Sequence, residues 1–215
     1  ITCIQETKWT GETAREIEDT GYKLYYSGKD RCRNGVRIII DKGLVESVVA
    51  VTRKGDRIML VKLVFGGNIV NIISAYAPQV GLDDQTKRDF WEQMDEILQE
   101  IPVGENLVIG GDFNGHVGID KLGYERVHGG YSFDDRNEAG ERILDFAVAA
   151  DLVVANIMYK KREEHLITFK SGLVKSQIDY FLVRKVDCLK CNDCKVIPGE
   201  SLGSQHRILV FDLCF

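Results

Sequence analysis

No run of about eighteen consecutive apolar residues occurs in this chain, so no segment reads as a membrane-spanning helix and no membrane is expected as a partner. Cysteine is sparse. Six residues, unevenly placed among 215, are too few for a disulfide scaffold and fit a reducing, intracellular compartment. Positive charge is not in excess either: 28 Lys and Arg against 33 Asp and Glu give a net charge of -5. No global positive field therefore announces a nucleic-acid binder, and any contact with phosphates has to come from local basic groups. The opening residues, Ile1 to Lys8, have neither the basic start nor the long apolar core of a secretory signal. They also lack an initiating Met, and the apolar pattern is already under way at Ile1, so the chain reads as beginning inside a strand. Internal repeats, low-complexity tracts and linker-like stretches are absent, which predicts a single domain over residues 1–215. What is present is an ordinary 44% hydrophobic content, enough for a substantial core.

The apolar pattern predicts strands at Ile1–Ile4, Val36–Ile40, Leu44–Thr52, Ile58–Phe65 and Ile69–Tyr76. Turn chemistry separates the later ones: Asp41-Lys42-Gly43, Arg53-Lys54-Gly55-Asp56 and Gly66-Gly67-Asn68, as in an antiparallel meander. Thr13–Thr20 reads as a short helix, Gly21 to Tyr26 as a Tyr-rich segment, and Gly28–Asn34 as an exposed basic loop. Phe90, Trp91, Met94, Ile97, Leu98 and Ile101 recur at three- and four-residue steps, predicting a helix over Asp83–Ile101 that Pro102 and Gly104 stop. A second helix is expected over Asn137–Ala150, burying Ile143, Leu144, Phe146 and Ala147. Strands follow at Val153–Ile157, Leu166–Phe169, Ile178–Val183 and Ile208–Leu213, with Lys160–Glu164 capping a hairpin. Strand runs with helices packed outside two sheets make a layered α/β sandwich.

The most informative stretch is Leu107-Val108-Ile109, an apolar run that ends in Gly110-Gly111 and then Asp112-Phe113-Asn114. The glycines let the backbone bend, and the i, i+2 spacing brings Asp112 and Asn114 out on one side. Alone, this is a strand followed by an Asp/Asn turn and needs no chemistry. The same signature recurs, however. Glu6 follows Cys3-Ile4-Gln5, Tyr76 ends Ile72–Ala75, Asp179 lies within Gln177–Val183, and His206 precedes Ile208-Leu209-Val210. A carboxylate inside an apolar strand is costly unless paired or coordinated, which singles out Asp179.

Five ordered motifs carry a resemblance: Ile4-Gln5-Glu6-Thr7, Ser74-Ala75-Tyr76-Ala77-Pro78, Gly111-Asp112-Phe113-Asn114, Ile178-Asp179-Tyr180 and Ser204-Gln205-His206. The chain resembles the endonuclease/exonuclease/phosphatase superfamily, the fold of DNase I and the apurinic/apyrimidinic endonucleases. More narrowly it is similar to the endonuclease domain of RTE-type non-LTR (LINE) retrotransposons and to craniofacial development protein 2-like proteins. The resemblance implies a four-layered α/β sandwich of two mainly antiparallel sheets with outer helices. It also implies that the family's first strand, which carries an Asn, and first helix are missing ahead of Ile1, from which weak stability and impaired activity are expected.

It further implies roles. Glu6 would be the main ligand of Mg²⁺, with Mn²⁺ as a substitute. Asp112 would orient and deprotonate the attacking water, and Asn114 would hold that water or a phosphate oxygen. His206 would donate to the phosphate, Asp179 would fix its ring, and Tyr76 would contact the phosphate or leaving group. Where the family's last motif is usually Ser-Asp-His, Gln205 stands in this chain, so a metal-side carboxylate becomes an amide that can still coordinate through its carbonyl. By resemblance the partner is DNA, the product a nick with a free 3′-hydroxyl, the location nuclear, and the parent protein one that carries a reverse transcriptase domain. Arg31, Arg33, Lys160, Lys161, Arg162 and Lys170 are candidate DNA contacts, alongside Lys8 and Lys175. Of these, Lys160 to Arg162 fall where retrotransposon endonucleases are similar in using a hairpin, near residues 158–166, to read a groove.

Cys188-x-x-Cys191-x-x-Cys194 supplies three local thiols where a closed zinc site needs four ligands, so it reads as reduced thiols in a loop. His116 and His128 read as exposed loop residues, and His165 as structural. Two further functions remain open. One is a phosphatase of the same fold acting on inositol or lipid phosphates; the other is a co-opted or decayed domain that serves as an interaction module.

Overall fold

The computed structural model describes residues 1–202 and 205–214, so Ser204 of the last motif lies outside the described residues. The chain divides into two compact units, residues 1–112 and 113–215.

In the first unit, β1 (Thr2–Ile4), β2 (Gly11–Glu16), β3 (Lys23–Gly28) and β4 (Val36–Ile40) form an antiparallel sheet in the order β1-β4-β3-β2. Val36, Ile38 and Ile40 alternate with less buried neighbours, so the period of two in β4 fixes its core face. That face packs on β6 (Ile58–Phe65) and β7 (Asn68–Tyr76). β5 (Val48–Lys54), β6 and β7 are the antiparallel meander that the glycine turns announce. β8 (Asn106–Asp112) then lies parallel to β7, which requires a crossover, and α1 (Asp84–Gln99) supplies it. Asp83 caps α1 by accepting from the Thr86 amide at 2.9 Å, and Phe90, Met94 and Ile97 form its buried stripe.

In the second unit, a long loop leads from Phe113 into α2 (Glu138–Ala149). Asn137 caps this helix, its Oδ1 accepting from the amides of Gly140 at 2.8 Å and His116 at 3.0 Å. β12 (Asp179–Arg184) pairs antiparallel with β9 (Leu152–Val154). A second sheet takes the order β11-β10-β14-β13, from β10 (Phe169–Ser171), β11 (Val174–Ser176), β13 (Cys191–Leu202) and β14 (His206–Leu213).

Several expectations need correction. Thr13–Thr20 is not a helix: residues 11–16 are β2, an edge strand paired residue by residue with β3. Every β2 residue is exposed, so no apolar stripe existed to hold a helix, and the cross-strand ladder decides the conformation. Leu44–Thr52 is split into a 3-10 turn at Lys42–Ser47, opened by Asp41 Oδ1 accepting from Gly43 N at 2.8 Å, and strand β5. Val153–Ile157 ends as a strand at Val154 and continues as a 3-10 turn over Ala155–Ile157. The region near 158–166 is no hairpin; it ends in a 3-10 turn at Glu163–His165, and the strand expected at Leu166–Phe169 begins at Phe169. The hairpin is β10–β11, closed at Gly172-Leu173, because Gly172 takes the positive φ of +59° that the tight turn demands. Cys191 and Cys194 lie in β13, not in a loop.

Candidate active site

Three of the residues singled out in the sequence share the first unit. Glu6 and Lys8 both sit at φ 53°, a left-handed conformation uncommon for side chains other than glycine. Backbone partners hold that turn: Thr7 N donates to Gly35 O at 3.1 Å and Lys8 N to Asn34 O at 2.9 Å. Arg37 Nη2 donates to Thr7 O at 3.0 Å. Gly35 is required there, since a Cβ would lie 2.6 Å from Thr7 Oγ1. Gln5 Nε2 donates to Ser74 Oγ at 3.0 Å and ties the turn to β7. The Glu6 carboxylate is half exposed and lies 3.4 Å from Lys8 Nζ.

Tyr76 and Asp112 end the parallel strands β7 and β8 as register partners. Gly111 lets these strands approach, for a Cβ at that position would stand 1.9 Å from Ala75 O. Asp112 is only 6% exposed and Tyr76 4%. Burial first, then the negative charges of Glu6 and Asp112, push the Tyr76 phenol up to about 12, with Arg57 opposing. Tyr76 therefore stays a hydrogen-bond donor across the physiological range, in a locally acidic setting. Arg57, which the sequence did not mark, lies with its guanidinium 5.2 Å from the Tyr76 ring and donates to Tyr76 O at 3.2 Å.

In the second unit, His206 Nδ1 and Asp179 Oδ2 are 3.1 Å apart. Asp179 opens β12 and is fixed by its neighbours. Thr168 Oγ1 accepts from Asp179 N at 3.1 Å, and Asn156 Nδ2 donates to Asp179 O at 3.0 Å. Asn156 is buried and its Oδ1 accepts from Phe181 N at 3.1 Å, so it braces the peptides on both sides of Tyr180, just after Asp179; nothing in its short apolar context signals this. His206 opens β14, with the Phe169 ring edge-on at 5.0 Å. Asn114, at φ 49°, belongs to the loop after Asp112, and Phe113 N donates to Ile178 O at 2.9 Å beside Asp179. Gln205 does not turn toward His206: its exposed amide donates to Ser171 Oγ at 3.0 Å.

The candidate DNA contacts divide. Arg31, Arg33, Lys160, Arg162 and Lys170 are exposed. Lys161 is not available in the same way, because Asp193 Oδ1 holds its Nζ at 2.7 Å in a half-buried pair. Lys170 sits on the β10–β11 hairpin directly opposite Lys175, itself 2.8 Å from Glu163. His128 is not an exposed loop residue: it is 1% exposed, with Nε2 2.8 Å from Gly118 O and Nδ1 accepting from Gly130 N at 2.9 Å. His165 Nδ1 lies 2.9 Å from Val196 O. The thiols of Cys188, Cys191 and Cys194 are all free, and burial raises each, Cys191 to about 11.

No family model matches the chain. Craniofacial development protein 2 from Tragulus javanicus is 31% identical over 215 residues, a match that takes in 98% of this chain and 36% of that protein. The chain thus spans about a third of the length of the curated relatives it matches. Among solved structures, the 3′-5′ exonuclease NExo from Neisseria meningitidis superposes with a TM-score of 0.69 at 15% identity, over 99% of this chain and 88% of its own. The endonuclease domain of TRAS1, a telomere-specific non-LTR retrotransposon, gives 0.64 at 15% identity, over 90% and 78%. The protein has the DNase I-like α/β fold of the endonuclease/exonuclease/phosphatase proteins and is similar in sequence to craniofacial development protein 2.

Proposed function

We propose that the chain is a Mg²⁺-dependent phosphodiesterase that nicks DNA and leaves a 3′-hydroxyl. The observation that carries this reading is the register of Tyr76 beside Asp112 at the ends of β7 and β8, with the charge of Glu6 acting on the same phenol. Two carboxylates act on one buried phenol, and a divalent cation is the ligand such a pair of carboxylates would take. Their oxygens are the donors that Mg²⁺ takes, and Mn²⁺ substitutes on the same chemistry. Glu6 fits that role, and Gln205, bonded to Ser171, contributes less to it. When bound, the cation supplies Lewis-acid polarisation of a phosphoryl oxygen.

The remaining work falls to side chains. Asp112 accepts a proton from the attacking water, and Asn114, two residues on, orients that water. Asp179 holds the His206 ring through Nδ1, leaving Nε2 to donate to the phosphate as charge builds on it. Tyr76 donates its hydroxyl to the phosphate or the leaving oxygen. The likeness to nucleases of the same fold supports hydrolysis of a phosphodiester. Lys170, Arg31, Arg33, Lys160 and Arg162 would meet the DNA backbone, and a nuclear location and a reverse transcriptase domain in the parent protein follow from the same reading.

Incubation with supercoiled plasmid and Mg²⁺, beside an inositol-phosphate release assay, tests the proposal. Relaxed circles that a polymerase extends without phosphatase treatment support it. Phosphate release without nicking would assign the same-fold phosphatase reading instead. A second reading, a co-opted domain of weakened activity, draws on Gln205, which stands where resemblance expects an Asp and bonds away from His206. Restoration of nicking by Gln205→Asp would favour it.

A further inference from the structure

The outward face of the first sheet carries a feature that the proposed chemistry does not use. Two guanidiniums lie over one indole: Arg37 Cζ is 3.3 Å and Arg15 Cζ 4.4 Å from the Trp9 ring centroid. Tyr26 meets Trp9 edge-on at 5.7 Å. Arg53 of β5 reaches the same strands from the other, inner side, its Nε donating to Tyr26 O and its Nη2 to Thr13 O, both at 3.2 Å.

The register explains why these residues share a face. Thr13 pairs with Tyr26, which pairs with Arg37, so these three and Arg15 project to one side of the sheet. Glu12 and Glu16 of β2 fall on the other side, where Glu12 lies 3.5 Å from Ser27 Oγ. The face therefore gathers cations while its own strand turns its carboxylates away.

No ion pair among the described residues neutralises them. The ion pairs of this unit engage lysines: Lys8 with Glu6, Lys54 with Glu96 and Glu100, Lys62 with Glu105, and Lys87 with Asp84. Among the described residues, Arg15 and Arg37 pair with no carboxylate, and Arg37 Nε is buried without a hydrogen-bond partner. Burial, then the like charge of Arg15, lowers the Arg37 pKa, the mark of a cation group short of an anion. Stacking on Trp9 compensates in part.

We propose that Arg15 and Arg37, held over Trp9 on the outward face of β2, β3 and β4, clamp the phosphate backbone of a nucleic-acid strand. The two guanidiniums meet on one indole, so phosphate donors stand beside an aromatic face on which a base can stack, a pairing suited to a nucleic acid. The choice of a nucleic acid over other polyanions rests on the phosphodiesterase reading. The clamp itself binds and does no chemistry.

Binding of a fluorescein-labelled 20-mer, single- and double-stranded, is followed by anisotropy in EDTA across a salt series, with the full chain. Arg15 is exposed, so Arg15→Gln and Arg15→Glu leave the fold intact, which circular dichroism verifies. Arg15→Gln is expected to weaken binding to all sequences alike and to lower the slope of log K against log salt by about one. Arg15→Glu should weaken it further. Unchanged affinity and slope in both variants overturn the proposal, as does a loss confined to vesicles of anionic phospholipid. Binding is measured without metal, so the two readings fail separately. Nicking that Asp112→Ala abolishes, together with Arg15 variants that bind normally, removes the clamp alone. Absent nicking with Arg15-dependent binding removes the phosphodiesterase alone.

Discussion

His128 shows how burial fixes the place of a proton. Its Nδ1 accepts from Gly130 N and its Nε2 faces Gly118 O, so the packed ring is neutral with the proton on Nε2. Burial lowers its pKa from the ordinary 6.5, against a smaller opposing effect of the Gly118 carbonyl. The unfolded chain takes up a proton as pH falls through 6.5, while the folded chain does not until lower pH. Stability from this residue is thus complete above 6.5 and declines below it, toward the folded pKa. Urea unfolding at pH 7.5, 6.5 and 5.5 should show a steeper acid loss in the parent than in His128→Gln. Equal slopes would mean that the ring is not held neutral. In the same unit, His206→Ala should cut nicking by about 10²- to 10³-fold, the usual loss when a donor to a developing oxyanion is removed. Asp179→Asn, which keeps the shape but not the charge, should lose less. Circular dichroism separates either loss from unfolding. Glu6, Tyr76, Asp112, Asp179 and His206 were legible because each interrupts or ends an apolar run, and each sits at or beside a strand end. Arg57, Asn156 and the burial of His128 were not, because their roles arise from neighbours distant in sequence.

At the level of elements, what could be read was what local chemistry determines. α1 and α2 follow from caps and an apolar stripe, and the meander β5–β7 from its glycine turns. β2 and β13 follow from pairing. β2 has no buried residue, and β13 is interrupted by Pro198-Gly199, where the register with β14 shifts. Asp83→Ala should cost about 1 kcal/mol of stability through the lost α1 cap, seen as a lower urea midpoint at unchanged m-value. Gly140→Ala should cost more, about 1–3 kcal/mol, even though alanine is the better helix former. A Cβ there would meet His116 O at 1.7 Å and push the loop after Asp112 off α2. A Gly140→Ala variant as stable as the parent would show that this loop yields readily.

For the molecule as a whole, the net charge of -5 pointed away from nucleic acid, yet the bulk figure hides how charge is arranged. In the first unit Lys8, Lys54, Lys62 and Lys87 are held in ion pairs, while Arg15 and Arg37 gather on Trp9. The fold class was readable from the ordered motifs, and the solved nucleases that superpose on this chain share that fold. The division at Asp112 was not, since nothing in the composition changes there. The central claim is that carboxylates at the strand ends of the first unit drive phosphodiester hydrolysis. It is tested most directly by plasmid nicking in Mg²⁺ and in EDTA, with the parent chain beside Glu6→Ala and Asp112→Ala. The account predicts nicking that EDTA abolishes and that Asp112→Ala lowers by about 10²- to 10⁴-fold, with Glu6→Ala partly rescued by raised Mg²⁺. Nicking that proceeds in EDTA, or that both variants retain at the parental rate, would contradict it.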